Sequence, residues 1–122
     1  YATVSGGLTN AATLSAATVS GGANNTAAGN QGVIGGGAGN DVTDDYGTIG
    51  GGQNNQVGDN AGAVTDRQYA TVGGGGSNLA IGAQPTTGGG ATHTAPSTMS
   101  GRSVAETAPP PPGHRSQLFR HA

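Results

Sequence analysis

The groups in this chain able to do chemistry are few, and most of them are acids. Asp41, Asp44, Asp45 and Asp59 collect in one short region, with Asp66 and Arg67 shortly after. Oxygen-rich clusters of this kind suit a hard divalent cation, so Asp41, Asp44 and Asp59 are the candidate metal ligands. Nucleophilic catalysis would need a Ser or Thr held beside a base. The three histidines, His93, His114 and His121, all fall in the later part of the chain, away from the acids. There is no Cys and no Lys, which removes thiolate metal sites and the phosphate-binding lysine of a P-loop. The formal net charge of −2 gives no basic footprint for nucleic acid. An enzyme is therefore not expected.

What positions these groups is a repeat. Copies begin at Tyr1, Ala16, Gln31 and Tyr46, a spacing of 15, and two more begin at Tyr69 and Gln84. The step from Tyr46 to Tyr69 carries 8 extra residues, Ala61–Gln68. The fourth position is Val4, Val19, Ile34, Ile49, Val72 and then Thr87. The third is Thr3, Thr18, Val33, Thr48, Thr71 and Thr86. Positions six and seven are Gly in every copy. The tenth is Asn10, Asn25, Asn40, Asn55, Asn78 and then His93; the twelfth is Ala or Val throughout.

A helix cannot carry this pattern. Gly costs about 1 kcal/mol per residue in a helix interior, and no apolar stripe of helical period exists. A short strand fits instead, with positions two and four facing inward and position three outward. The Gly pair supplies a corner, and the Asn is read as a turn residue that tolerates left-handed backbone. A second short strand follows near position twelve. Each copy is then one coil of an all-β, single-stranded parallel β-solenoid or β-roll, with Asn10, Asn25, Asn40, Asn55 and Asn78 aligned as an amide ladder along one edge. Val4, Val19, Ile34, Ile49 and Val72 should line a common interior. Each coil offers so little apolar surface that several chains sharing one core are the simplest remedy.

The solenoid is expected over residues 1–98, with 61–68 as a loop bulging from one corner. Asp44 and Asp59 share position fourteen, so stacking places one above the other, a repulsive pair unless solvent or a cation intervenes. Tyr1, Tyr46 and Tyr69 share position one, where a ring can cover a corner. Copy six drifts: Pro85, Thr87 and Pro96 break the columns, and the stack is expected to fray or be capped there. Residues 99–122 include the polyproline run Pro109–Pro112 and three of the four arginines, and read as a disordered tail. Codons permitted by Ser116–His121 also allow repeat-like residues in a shifted frame. The chain starts mid-pattern without Met and reads as a fragment or processed product. No apolar run is long enough to span a membrane.

Gly36-Gly37-Ala38-Gly39-Asn40-Asp41-Val42 resembles the GGxGxDxU unit of calcium-binding parallel β-rolls. It occurs once, and Thr26 and Gln56 replace Asp41 in the neighbouring copies, so chance in a Gly/Asn/Asp-rich chain is the simpler account. The Thr column resembles the arrays of ice-binding solenoids, but is a single row broken by Val33. No cofactor is expected, and Ca²⁺ binding is the remote alternative, with ice binding beside it. The stretch ATVSGGANNTAAG, with Asn25-Thr26-Ala27-Ala28-Gly29, and the triplets Val33-Ile34-Gly35, Thr48-Ile49-Gly50 and Ala80-Ile81-Gly82 resemble the head repeats of bacterial trimeric autotransporter adhesins. That resemblance covers about residues 1–98. It implies a left-handed β-roll, a homotrimer, and display on the bacterial cell surface for binding host matrix or other cells. A structural fibre or phage-tail-like spike without a ligand is the alternative. The 15-residue period and fuller Gly run depart from the family, and no neck, stalk or membrane anchor accompanies the repeats.

Overall fold

The computed structural model describes residues 1–82 and 84–95. The expected tail over 99–122, Pro96 and the frame-shift reading of Ser116–His121 lie outside the described residues.

Every coil contributes two strands of two residues. The first of each pair are β1 Thr3–Val4, β3 Thr18–Val19, β5 Val33–Ile34, β7 Thr48–Ile49, β9 Thr71–Val72 and β11 Thr86–Thr87. The second are β2 Ala11–Ala12, β4 Thr26–Ala27, β6 Asp41–Val42, β8 Gln56–Val57, β10 Leu79–Ala80 and β12 Thr94–Ala95. The first set forms one six-stranded parallel sheet and the second set another, each in coil order. A third ladder of single bridges joins Leu8, Ala23, Ala38, Gln53, Gly76 and Ala91. The chain is thus a β-solenoid of six coils, without a helix among the described residues. Register is unbroken across the insertion: Ile49 pairs with Val72 and Val57 with Ala80. Sheet continuity needs only that the chain return to the corner, so extra residues between β8 and β9 loop outward at little cost.

Inward positions follow the columns. Val19, Ile34, Ile49 and Val72 are fully buried, and so are Ala27, Val42, Val57 and Ala80 opposite them. Val4 differs. It is in register with Val19 but 43% exposed, because β1 lies at the edge of its sheet and only one side of its coil is covered. At the other end the described residues of copy six remain stacked: β11 and β12 both pair in register. Pro85 fits because it stands in a corner. The equivalent N–H groups of Ala17 and Gly32 make turn bonds three residues back, to Leu14 O and Gly29 O. Proline therefore forfeits a turn bond and no ladder bond. Thr87 does carry a cost, since its buried Oγ1 has no partner.

One expectation about the interior needs correction. The Asn column forms the expected amide ladder, but its residues are buried and are not the left-handed turn residues. Asn25, Asn40, Asn55 and Asn78 are at most 1% exposed. Each Nδ2 donates to the position-six carbonyl of its own coil and the position-seven carbonyl of the next, as Asn40 does to Gly36 O and Gly52 O at 3.0 Å each. The left-handed turn residue is the one before it: Thr9, Asn24, Gly39, Asn54, Ser77 and Thr92 have φ between 54° and 67°. The apolar columns are buried by one chain's own coils, because the asparagines fill with hydrogen-bonded amides the space that small side chains leave open.

Candidate functional site

Stacking does bring Asp44 and Asp59 together, and the insertion adds a third acid. Among the described residues, carboxylate oxygens of Asp44, Asp59 and Asp66 lie within 4.8 Å of one another. The loop is tied back onto the corner by Asp45 N to Val64 O at 2.7 Å, Tyr69 N to Asp45 O at 3.2 Å and Ala61 N to Asp59 Oδ1 at 3.0 Å. Arg67 Nε pairs with Asp59 Oδ2 at 3.3 Å. The loop therefore folds over the corner, and its outer residues stay exposed.

Asp44 is 2% exposed, and its Oδ2 has no hydrogen-bond partner. Beside it opens a cleft of about 330 Å³, lined by Asp41, Thr43, Asn60, Ala61 and Val64 among others. Thr43 Oγ1 donates to Val57 O and accepts from Asn60 N. Asp41 lies on β6 between Thr26 and Gln56, lines the cleft, and stands outside the trio. Burial raises its carboxyl above the ordinary range. Neighbouring Asp45 serves the scaffold: its Oδ1 accepts from Asn30 N at 2.7 Å and Asn30 Nδ2 at 2.9 Å.

Burial first, then the charges of Asp66 and Asp59, push the Asp44 carboxyl from 3.8 up to about 6. The hydrogen bonds from Ala61 N and Arg67 hold Asp59 low. For Asp44 the folded chain holds the proton more tightly than the unfolded chain does. Its stabilising contribution is complete below pH about 4 and is lost as pH rises through about 6. A rise from 3.8 to about 6 corresponds to about 3 kcal/mol, and solvent in the adjoining cleft screens this to about 1–2 kcal/mol. In chelator, the protein should therefore be more resistant to urea at pH 5 than at pH 7.5. Asp44→Asn should shrink that difference, leaving the smaller part due to Asp41, and raise stability at pH 7.5. Equal pH dependence in both proteins would refute the assignment.

Of the remaining groups singled out from sequence, His114 and His121 lie outside the described residues. His93 continues the Asn column, its N–H donating to Asn78 Oδ1 at 3.0 Å. Tyr46 and Tyr69 stack with ring centroids 4.7 Å apart and planes 8° from parallel, while Tyr1, at the end of the same column, is exposed. The Thr column alternates with small or absent side chains and faces outward. Asp66 was not a candidate ligand from sequence, because an insertion has no register from which to place it. No family model matches the chain, and no curated protein or solved structure is significantly similar to it.

Proposed function

We propose that this chain is a non-enzymatic repeat segment of a surface adhesin, displayed outside the cell, that assembles as a homotrimer and attaches to matrix or other cells. One observation carries the display role. The interior is filled by columns that vary little, and sequence variety is pushed to the outward rows, such as Ala11, Thr26, Asp41, Gln56, Leu79 and Thr94 on the second sheet. A scaffold of fixed inside and variable outside is suited to presenting a surface. Display on the cell surface and trimerisation come from the resemblance to trimeric autotransporter heads. Since each chain covers its own apolar columns, the trimer contacts would be made by outer faces. That same closure favours a second reading, a structural fibre element without a ligand.

Sedimentation equilibrium and binding to immobilised matrix proteins test the proposal together. A mass of three chains, with saturable binding that falls on deleting Ala61–Gln68, is the expected result. A monomer that binds no matrix protein overturns the adhesin reading. A trimer that binds none leaves the structural fibre.

A further inference from the structure

We propose that the corner closed by the insertion binds one divalent cation of the Ca²⁺ class through Asp44, Asp59 and Asp66. This does not depend on the adhesin reading. Three observations converge on it.

The first is spacing. Oxygens that share one Ca²⁺ at 2.3–2.6 Å can be no more than about 5 Å apart, and the three carboxylates meet that limit at 4.8 Å. Their charges, with Arg67 beside Asp59, leave an excess of two negatives, which one divalent ion offsets. No His or Cys joins the group, so the donor set is all oxygen. Its ligands come from two coils and a loop. Such an irregular set suits Ca²⁺ better than the strict octahedron of Mg²⁺.

The second is the state of Asp44. Buried polar atoms are almost always partnered, and a buried carboxylate oxygen without a donor is costly. Asp44 Oδ2 is such an atom, on a residue 2% exposed. Nothing in the packing of the coils requires an acid there, since Gly29 and Leu14 occupy the same position in earlier coils.

The third is the space kept against the oxygens. A Cβ on Gly58 would come within 2.5 Å of Asp44 Oδ2, and one on Gly62 within 2.7 Å of Asp66 Oδ2. Both glycines have left-handed backbone, with φ of 91° and 77°. A side chain at either glycine would therefore crowd these oxygens, and at Gly58 also Thr43 Oγ1. The adjoining cleft has room for the waters that would complete the coordination shell.

The test is calorimetric titration of CaCl₂ into the full chain after chelator treatment, with the melting temperature followed in parallel. One Ca²⁺ per chain is expected, with a rise in melting temperature. Asp66→Asn, on an exposed loop residue, should weaken binding at least tenfold and keep the β-sheet circular dichroism. Asp41→Asn, in the same cleft but outside the trio, should bind as the parent does. No binding by the parent chain at millimolar Ca²⁺ overturns the proposal. So does binding of equal strength by Asp66→Asn, which would reveal generic attraction to an acidic surface. Should Asp66→Asn misfold, the parent titration and the Asp41→Asn comparison still decide: loss of binding in Asp41→Asn would move the site out of the trio and refute it.

Discussion

Gly52→Ala should unfold the solenoid at room temperature or come close to it, at a cost above about 4 kcal/mol, whereas Gly51→Ala should change stability by less than about 1 kcal/mol. The two glycines are adjacent and equally prominent in the repeat, so the contrast tests geometry and not composition. A Cβ at Gly52 would overlap the carbonyl oxygen of Gly75 in the next coil and lie 2.8 Å from both Gly75 N and Asn55 Nδ2. None of these atoms can yield. Gly75 O already accepts from Gln53 N at 2.9 Å and from Asn55 Nδ2 at 3.0 Å. The φ of 94° at Gly52 adds a conformational penalty for any L residue. At Gly51 a Cβ would meet nothing within 4 Å, and Ala there restricts the unfolded chain, which offsets part of any loss. Urea unfolding followed by circular dichroism measures both. Since a domain of this size has only about 5–15 kcal/mol to lose, the first variant should show little or no native baseline. Equal effects would mean that the coils are not stacked with position seven against position seven.

The coil register could be read from the chain because identical spacing recurs through strict columns, and columns translate directly into stacked ladders. The same arithmetic placed Asp44 over Asp59. What could not be read was direction at the turn. Asn is common both as a left-handed turn residue and as a buried hydrogen-bonding one, and residue type alone does not separate the two. The separating signal was present in the columns themselves. Position nine varies among Thr, Asn, Gly and Ser, as a solvent-facing turn allows, while position ten holds Asn through five coils. An invariant polar column beside a variable one marks the buried side. Asp66 was illegible for a different reason: the loop's path is set by bonds such as Asp45 N to Val64 O, which no periodicity encodes. Val4 shows a third limit, because a column gives the direction of a side chain and not whether another coil covers it.

If the asparagines fill the interior as argued, Asn40→Ala should cost about 3–5 kcal/mol, and Asn10→Ala about 1–2 kcal/mol. Asn40 sits mid-ladder. Its Oδ1 accepts from Asn55 N at 3.0 Å and Asn55 Nδ2 at 3.1 Å, and its Nδ2 donates to Asn25 Oδ1, Gly36 O and Gly52 O. Truncation strands several of these groups where water does not reach, and each buried unsatisfied group costs about 1–3 kcal/mol. Asn10 makes analogous bonds to Gly6 O and Gly22 O, which are exposed, so water can replace those, and truncation strands only the partners of its Oδ1, Asn25 N and Asn25 Nδ2. Asn40→Asp separates hydrogen bonding from volume. The ionised acid keeps the shape, loses both amide donors, and sets a charge against the carbonyls of Gly36 and Gly52. It should therefore be at least as damaging as Ala at pH 7, and less so at pH 4, where a protonated carboxyl recovers one donor. Chemical denaturation at the two pH values measures this. A uniform small loss along the column, or no pH dependence for Asn40→Asp, would mean that the apolar residues alone hold the coils together. With one Val or Ile and one Ala or Val per coil they present too little surface to do so, and the amide ladder is what makes up the difference.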